Sequence, residues 1–307
     1  MSALAHTTIL LDEAVDALIQ DASGVYVDGT YGRGGHSRAI LSRLSATGRL
    51  LAFDRDPEAI QHAQQVADSR FVITQGNFSE MADALSRRGL VGRVSGVLLD
   101  LGVSSPQLDD ASRGFSFMQD GPLDMRMNPE QSPSAEDWIN AASVDEMSVV
   151  FREYGEERYA RRIAAAIVRE RAGGRIRRTL ELADIVTRAN PAWEKHKHPA
   201  TRVFQAIRIF INSELDELQR MLTSVVGCLG PGGRVVVIAF HSLEDRIVKQ
   251  FLRTQSQGNV LPRGVPVMGL PEGRSMRLVG KATKPSEAEV NRNPRARSAV
   301  MRVGEKL

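Results

Sequence analysis

The feature that most constrains this chain is a strict alternation over its first hundred residues. Short apolar runs ending in an acid or a polar turn alternate with amphipathic stretches. Gly24-Val25-Tyr26-Val27-Asp28 reads as a buried strand that runs into the turn Gly29-Thr30-Tyr31-Gly32-Arg33-Gly34-Gly35. Ile40, Leu41 and Leu44 then share one helical face. Leu50-Leu51-Ala52-Phe53 is a second strand ending at Asp54, and Asp56-Pro57-Glu58 carries an N-cap, a proline at the first helical position and an acidic first turn. Phe71-Val72-Ile73 is a third strand, and Ser79 is placed to cap a helix bearing Met81 and Leu85. Val97-Leu98-Leu99 is a fourth strand, ending at Asp100. Strands that alternate with helices predict a parallel, doubly wound α/β sheet.

The pattern stops after Asp100. Residues 102–134 are rich in Gly, Ser, Pro and Asp and show no period. A loop this long in a compact protein is usually functional. From Ser134 to Asn190 the signals are helical. Ser134 with Asp137 and Ser143 with Glu146 have capping-box spacing; Tyr159, Ile163 and Ile167 share a face; Thr179 opens another helix. Pro199 begins a single long amphipathic helix through Val203, Ile207, Phe210, Leu215 and Leu222, stopped by Gly230-Pro231-Gly232-Gly233. Arg234 to Phe240 is a fifth strand, and Ser242 with Asp245 predicts the capping box of the helix after it. Arg277-Leu278-Val279 and Ser298 to Val303 close the sheet. The expected organisation is one α/β domain in two parts, 1–110 and 199–307, interrupted after strand four by a helical insert, 111–198.

In an open α/β sheet, ligands bind beyond the carboxyl ends of the strands. Four features fall there: the glycine turn, Asp54, Asn77-Phe78 and Asp100. The turn lets backbone approach a ligand at a helix N-terminus, and Asp54 is placed to accept ribose hydroxyls. A plain strand-to-helix turn, a dinucleotide site and an S-adenosylmethionine site all remain open at this point. The spacing Gly-x-x-Gly-x-Gly-Gly departs from the pyrophosphate fingerprint Gly-x-Gly-x-x-Gly, which disfavours a nicotinamide oxidoreductase. Acids such as Asp28 and Asp100 suit a sulfonium and an ammonium better than a pyrophosphate.

Several blocks resemble one family. Asp28-Gly29-Thr30-Tyr31-Gly32-Arg33-Gly34-Gly35-His36-Ser37 is similar to the cofactor loop of the bacterial 16S ribosomal RNA cytosine-N4 methyltransferases, called RsmH or MraW. So are Asp100 to Asp109, Arg113-Gly114-Phe115-Ser116-Phe117-Met118, Gly121 to Met127, Phe240-His241-Ser242-Leu243-Glu244-Asp245-Arg246 and Asn293 to Ser298. The resemblance runs from His6 to the last strand. It implies a seven-stranded Rossmann-like class I methyltransferase sheet with an inserted α-helical domain. It also implies S-adenosyl-L-methionine as cofactor, held by Gly34, Gly35, His36, Asp54, Phe78, Asp100 and Gln107. The implied substrate is a cytidine in the small-subunit decoding centre.

Cytosine N4 is a weak nucleophile because its lone pair is delocalised into the ring. A group that accepts a hydrogen bond from N4–H would help the nitrogen pyramidalise, and positioning would supply much of the remaining rate. Ser104-Ser105-Pro106-Gln107 occupies the place where DNA amino-methylating enzymes carry an Asp/Asn/Ser-Pro-Pro-aromatic motif, but the aromatic is missing. Ser105, or a backbone carbonyl beside it, is the expected acceptor, against a simple proline turn. His241 either accepts the departing proton or is a structural histidine at a strand end. A paired cytosine must be flipped or met unstacked, and Phe115, Phe117 and Met118 either enclose it or tether the loop.

The formal net charge of +3 hides an imbalance: residues 1–150 carry −10 and residues 151–307 carry +13. A basic half suggests a polyanionic partner. Arg175, Arg177 and Arg178, after Gly173-Gly174, and Arg295 and Arg297, beside the last strand, are the expected phosphate contacts. Arg161 and Arg162 read as a solvated face paired with Glu157 and Glu153. The single cysteine, Cys228, excludes a disulfide scaffold and reads as a core residue. His196-x-His198 reads as a solvated loop, so no metal is expected. No apolar run approaches the roughly 20 residues that span a bilayer, and the N-terminus lacks a signal-peptide pattern, so the expected location is cytoplasmic. The expected partner is 16S RNA within the 30S subunit, with no membrane; monomer and homodimer stay open. The competing functions are a DNA cytosine-N4 methyltransferase and a cofactor-binding assembly factor without turnover.

Overall fold

A computed structural model describes residues 8–192, 198–258 and 273–307. The chain divides into two compact units, one formed by Met1–Gly102 with Leu215–Leu307 and the other by Val103–Glu214.

The first unit is built on seven strands: β1 (Val25–Asp28), β2 (Arg49–Asp54), β3 (Phe71–Gln75), β4 (Val94–Asp100), β5 (Leu229–Ala239), β6 (Met276–Leu278) and β7 (Val300–Lys306). Their order is β3-β2-β1-β4-β5-β7-β6. The first five in that row run parallel; β7 pairs antiparallel with β5 and β6. Side chains alternate between the two faces of a strand, and both faces here are covered. Leu99, Val97 and Val237 point into one core with Met81, Leu85, Leu218, Leu222 and Val248. Leu98, Val236 and Ile238 point into the other with Val15, Leu18, Ile40 and Leu41. Continuous apolar runs such as Val97-Leu98-Leu99 are what a doubly covered parallel strand requires.

Two local expectations are corrected. Ser79 does not cap a helix: a short 3-10 turn, Phe78–Glu80, leads into the helix Met81–Arg87, and the Ser79 hydroxyl donates to Glu217 instead. The segment Gly230-Pro231-Gly232-Gly233 ends the preceding helix at Cys228 but lies inside β5, as a bulge. Leu229 pairs with Val94 and Arg234 with Gly96, so β5 spends more residues than β4 between the same two rungs. Cys228 is buried, as expected.

The second unit is helical: Ser105–Asp109, Ala135–Ala141, Val144–Glu153, Ala160–Arg171, Thr179–Ala189 and Ala200–Ile211. Both predicted capping boxes form, with Ser134 Oγ accepting from Asp137 N at 3.1 Å and Ser143 Oγ accepting from Glu146 N at 3.2 Å. Phe115, Leu123, Met125 and Met127, from the stretch without a period, are buried in the same core as Ile163, Ile167, Leu182 and Val203. Buried Asn212 ties that stretch down, donating to Met125 O and accepting from Met127 N, both at 2.8 Å. The long amphipathic helix is in fact two, Ala200–Ile211 and Glu214–Cys228. Ser213 between them has φ 50°, which a continuing helix cannot accommodate. Because Val203, Phe204, Ala206 and Ile207 pack into the helical core, Ala200–Ile211 belongs to this unit and not to the returning half of the sheet.

Candidate active site

β1 and β4 are neighbours whose following connections lead to opposite sides of the sheet, which makes the carboxyl edge between them the place where a crevice opens. The glycine turn lies at this edge and is stitched to both neighbours of β1. Gly29 N donates to Leu98 O at 2.9 Å and Tyr31 N to Phe53 O at 3.0 Å. Gly32 N donates to Asp54 Oδ2 at 2.7 Å, and Thr30 Oγ1 accepts from Asp100 N at 2.7 Å. Gly34 has φ 69° and immediately precedes the helix Gly35–Arg43; a Cβ there would lie 2.6 Å from the Tyr31 hydroxyl. Only glycine fits that conformation and that gap. Tyr31 is itself buried, its hydroxyl 3.0 Å from His62 Nδ1.

Acids crowd the same edge. Asp28 is buried beneath the turn and accepts from Ser37 Oγ at 2.6 Å and Thr30 N at 3.1 Å. Burial pushes its carboxyl up to about 6, against these two hydrogen bonds and with help from Asp54. Burial also raises Asp54, whose oxygens accept from Gly32 N and Asp56 N. Asp100 stands well above the ordinary carboxyl range, through burial first and then the charges of Asp28 and Glu244. Its Oδ2 is 3.6 Å from Nδ1 of buried His36. Its Oδ1 is enclosed and has no hydrogen-bond partner among the described residues; the same holds for Asn77 Oδ1. The Asp100 side chain as a whole keeps 26% exposure, so the edge opens on one side. Phe78, partly buried, follows Asn77 and packs on the core under β4.

At the end of β5 the cap differs from expectation. His241, not Ser242, is the N-cap of the helix Ser242–Gln257: its Nδ1 accepts from Glu244 N at 3.4 Å. Glu244 Oε2 reaches back to Phe240 N at 2.8 Å, and Glu244 Oε1 lies 3.1 Å from His241 Nε2. Asp245 instead pairs with Arg302 at 2.6 Å. Both ring nitrogens of His241 thus face Glu244. Nδ1 is used by the cap, and Nε2 is buried with no hydrogen-bond partner among the described residues. Thr30, Ser37 and Glu244 come to light only in the structure; the His-x-x-Glu spacing was the available signal for Glu244.

A model of the MraW methylase family matches residues 3–307. The chain belongs to the MraW methylase family. It is 58% identical over 303 residues to the ribosomal RNA small subunit methyltransferase H of Chromohalobacter salexigens, spanning 98% of this chain and 92% of that protein. Among solved structures it is similar to an rRNA methylase from Streptococcus thermophilus, at 11% identity and a TM-score of 0.42 over 96% of this chain and 93% of that one.

The other residues singled out for this MraW chain lie on the helical unit or near β7. Ser105 is the first residue of the helix Ser105–Asp109, and its hydroxyl has no hydrogen bond among the described residues. Gln107 is buried, and its Oε1 accepts from Ser104 N at 2.9 Å, closing the cap of that helix. Phe115 is buried and Phe117 packs 4.6 Å from the His198 ring and 4.8 Å from Phe204, so both tether the loop; Met118 is 82% exposed. His198 is not merely solvated, since its Nδ1 accepts from Ala200 N; His196 lies outside the described residues. Among the arginines, Arg175 is held by Glu136 and Asp137, and Arg178 by Asp120. Arg161 pairs with Asp145 rather than with Glu157, which is buried and accepts from Tyr159 N. Arg177 and Arg297 are exposed and make no ion pair among the described residues, and Arg295 is exposed too. No helix among the described residues is long and apolar enough to cross a membrane.

Proposed function

We propose that this chain transfers the methyl group of S-adenosylmethionine to N4 of a cytidine in 16S ribosomal RNA, acting on the decoding centre in the 30S subunit. The observation that carries the reading is the whole-chain membership in the MraW methylase family, joined to a strand edge where the Asp100 and Asn77 side chains each hold an enclosed oxygen with no hydrogen-bond partner among the described residues. The cofactor fits that edge. Its ammonium, sulfonium, ribose hydroxyls and adenine amine are cationic or donors and suit these acceptors, while its methionine carboxylate would need the N–H groups at the start of the helix Gly35–Arg43. Asp100 and Asn77 offer the enclosed acceptors, and Asp54 keeps lone pairs for the ribose. Gly34, Gly35 and His36, at the turn and helix start, would hold the methionine part, and Phe78 would hold the adenine.

When bound, the cofactor supplies an electrophilic methyl on a sulfonium. That methyl would pass to N4, and the proton N4 loses would go to solvent. Ser105 accepts the N4–H hydrogen bond that favours a pyramidal nitrogen, while His241 and Glu244 hold the end of β5 as positioning residues. Arg177, Arg297 and Arg295 contact phosphates; Arg175 and Arg178 do so only by exchanging their carboxylate partners. Gln107 supports Ser105 by capping its helix.

The test is to offer labelled S-adenosylmethionine with unmodified 30S particles, free 16S RNA and DNA, followed by nucleoside analysis. N4-methylcytidine is expected in the 30S sample. Its absence from every RNA sample refutes the reading, and labelled DNA would instead favour a DNA enzyme.

A further inference from the structure

The carboxyl edge holds more negative charge than it can pair internally. Asp28 comes from β1, Asp54 from β2, Asp100 from β4, and Glu244 from the helix after β5. The charges of Asp28 and Glu244 both bear on Asp100. Asp28 and Glu244 are 1% and 2% exposed, where water screens charge poorly. The groups facing Asp28 are Ser37 Oγ, Thr30 N and Asp54; those facing Asp100 are His36, Asp28 and Glu244. Of the nearby cations, Arg33 and Arg38 act on Tyr31 and His62, and Arg55 acts on Asp54 at the rim of the cluster. His36 is the one ionisable base in contact with Asp100 among the described residues. Buried acids this close together oppose full ionisation, and the 3.6 Å contact between Asp100 Oδ2 and His36 Nδ1 is a place where a proton can be retained.

We propose that binding of the cationic methionine portion of the donor expels the proton held among Asp28, Asp100 and His36, so that donor affinity is linked to pH. The inference rests on the donor site described above. The step balances simply: the protonated cluster and the donor combine, the proton leaves a carboxyl oxygen or an imidazole nitrogen for solvent, and the charge left behind pairs with the incoming cation. Enclosed Asp100 Oδ1, with no partner among the described residues, is the acceptor that gains one. Because a proton is released, affinity must rise with pH; one full proton corresponds to about tenfold per pH unit.

The experiment is isothermal titration calorimetry on the full chain at pH 6.5, in phosphate and in imidazole buffer, whose ionisation enthalpies differ. The two probes are S-adenosylmethionine and 5′-methylthioadenosine, which lacks both the ammonium and the sulfonium. For S-adenosylmethionine the heat should differ between buffers by the equivalent of about half to one proton released, and Kd should fall about three- to tenfold from pH 6 to pH 7. For 5′-methylthioadenosine the two heats should agree. Equal heats for S-adenosylmethionine in both buffers, with binding intact, would overturn the inference while leaving the donor site standing. An equal buffer dependence for both probes would also overturn it, placing the proton on the adenosine side. No binding of S-adenosylmethionine at all would sink the donor site itself. Asp100→Asn should remove most of the release in any preparation that still binds; the wild-type measurement decides even if that variant does not fold.

Discussion

Replacing Asp28 by asparagine should stabilise the ligand-free protein, and the gain should grow with pH. Asp28 is 1% exposed and its carboxyl is raised from 3.8 to about 6 by burial. A carboxyl raised on folding lends stability that is complete below its unfolded value and is lost as pH climbs through its folded value. The displacement amounts to about 3 kcal/mol in full, at about 1.4 kcal/mol per pH unit. Roughly half of that, about 1.5 kcal/mol, is lost between pH 5 and pH 8. Asparagine mimics the protonated acid. Its Oδ1 still accepts from Thr30 N, and its amide donates to a rotated Ser37 hydroxyl in place of the bond Ser37 now donates. That rearrangement costs up to about 1 kcal/mol, independent of pH. Urea unfolding of wild type and Asp28→Asn at pH 5 and pH 8 measures the difference. The variant should gain on wild type by about 1.5 kcal/mol between the two pH values, while binding the donor more weakly. A difference that stays flat with pH would mean that Asp28 carries no buried charge, and the reasoning would fail.

The remaining predictions concern the turn, the helical unit and the two surfaces. Gly34→Ala forces φ 69° on a residue with a Cβ that meets the Tyr31 hydroxyl at 2.6 Å; it should cost about 1–2 kcal/mol and weaken donor binding at least about tenfold, read by calorimetry. Gly114→Ala places a Cβ 2.2 Å from Pro122 O, a backbone atom with nowhere to go, at φ 71°; it should cost more than about 3 kcal/mol by urea titration, and a smaller loss would show that the loop yields. Ser105→Ala should lower kcat by about tenfold or more with KM for the donor unchanged; a wild-type rate removes the serine from the chemistry. Arg177→Ala should weaken RNA binding and reduce the salt slope by about 1, whereas Arg175→Ala, whose guanidinium is already held by Glu136 and Asp137, should change the slope less; equal effects would contradict that division.

What was legible in the sequence follows from which physical signals are local. The central parallel strands announced themselves because they are buried on both faces and so read as uninterrupted apolar runs, as Val97-Leu98-Leu99 does, while β3, at the edge of the sheet, is only partly covered. The acids at strand ends were visible because a strand's end is a fixed place in an α/β sheet. Asp28 and Asp100 could therefore be located before their neighbours were known. The carboxyl cluster was legible only as separate acids. That Glu244 joins it depends on β5 lying beside β4 and on a helix starting one residue after His241, and neither is encoded within a short window.

The errors share one origin. Ser79, Ser242 and Asp245 all have the composition of caps, yet two of them take another partner in the fold and the third is displaced by its neighbour. Ser79 gives its hydroxyl to Glu217 and Asp245 takes Arg302, while His241 performs the capping in place of Ser242. A cap is worth about 1 kcal/mol, so a competing ion pair or buried carboxylate is enough to reassign it. The break at Asn212-Ser213 was hidden in the same way. Phe210 and Leu215 are five residues apart, a step that a straight helix tolerates once, and the cost of φ 50° at Ser213 is offset by what Asn212 gains. Its amide closes hydrogen bonds to Met125 and Met127 that anchor a stretch with no period of its own. The stretch from Arg113 to Met127 is therefore ordered by residues far along the chain, Thr179 and Arg177 near its middle and Asn212 at its end, which is why its sequence looked like a loop while four of its apolar side chains form part of a core.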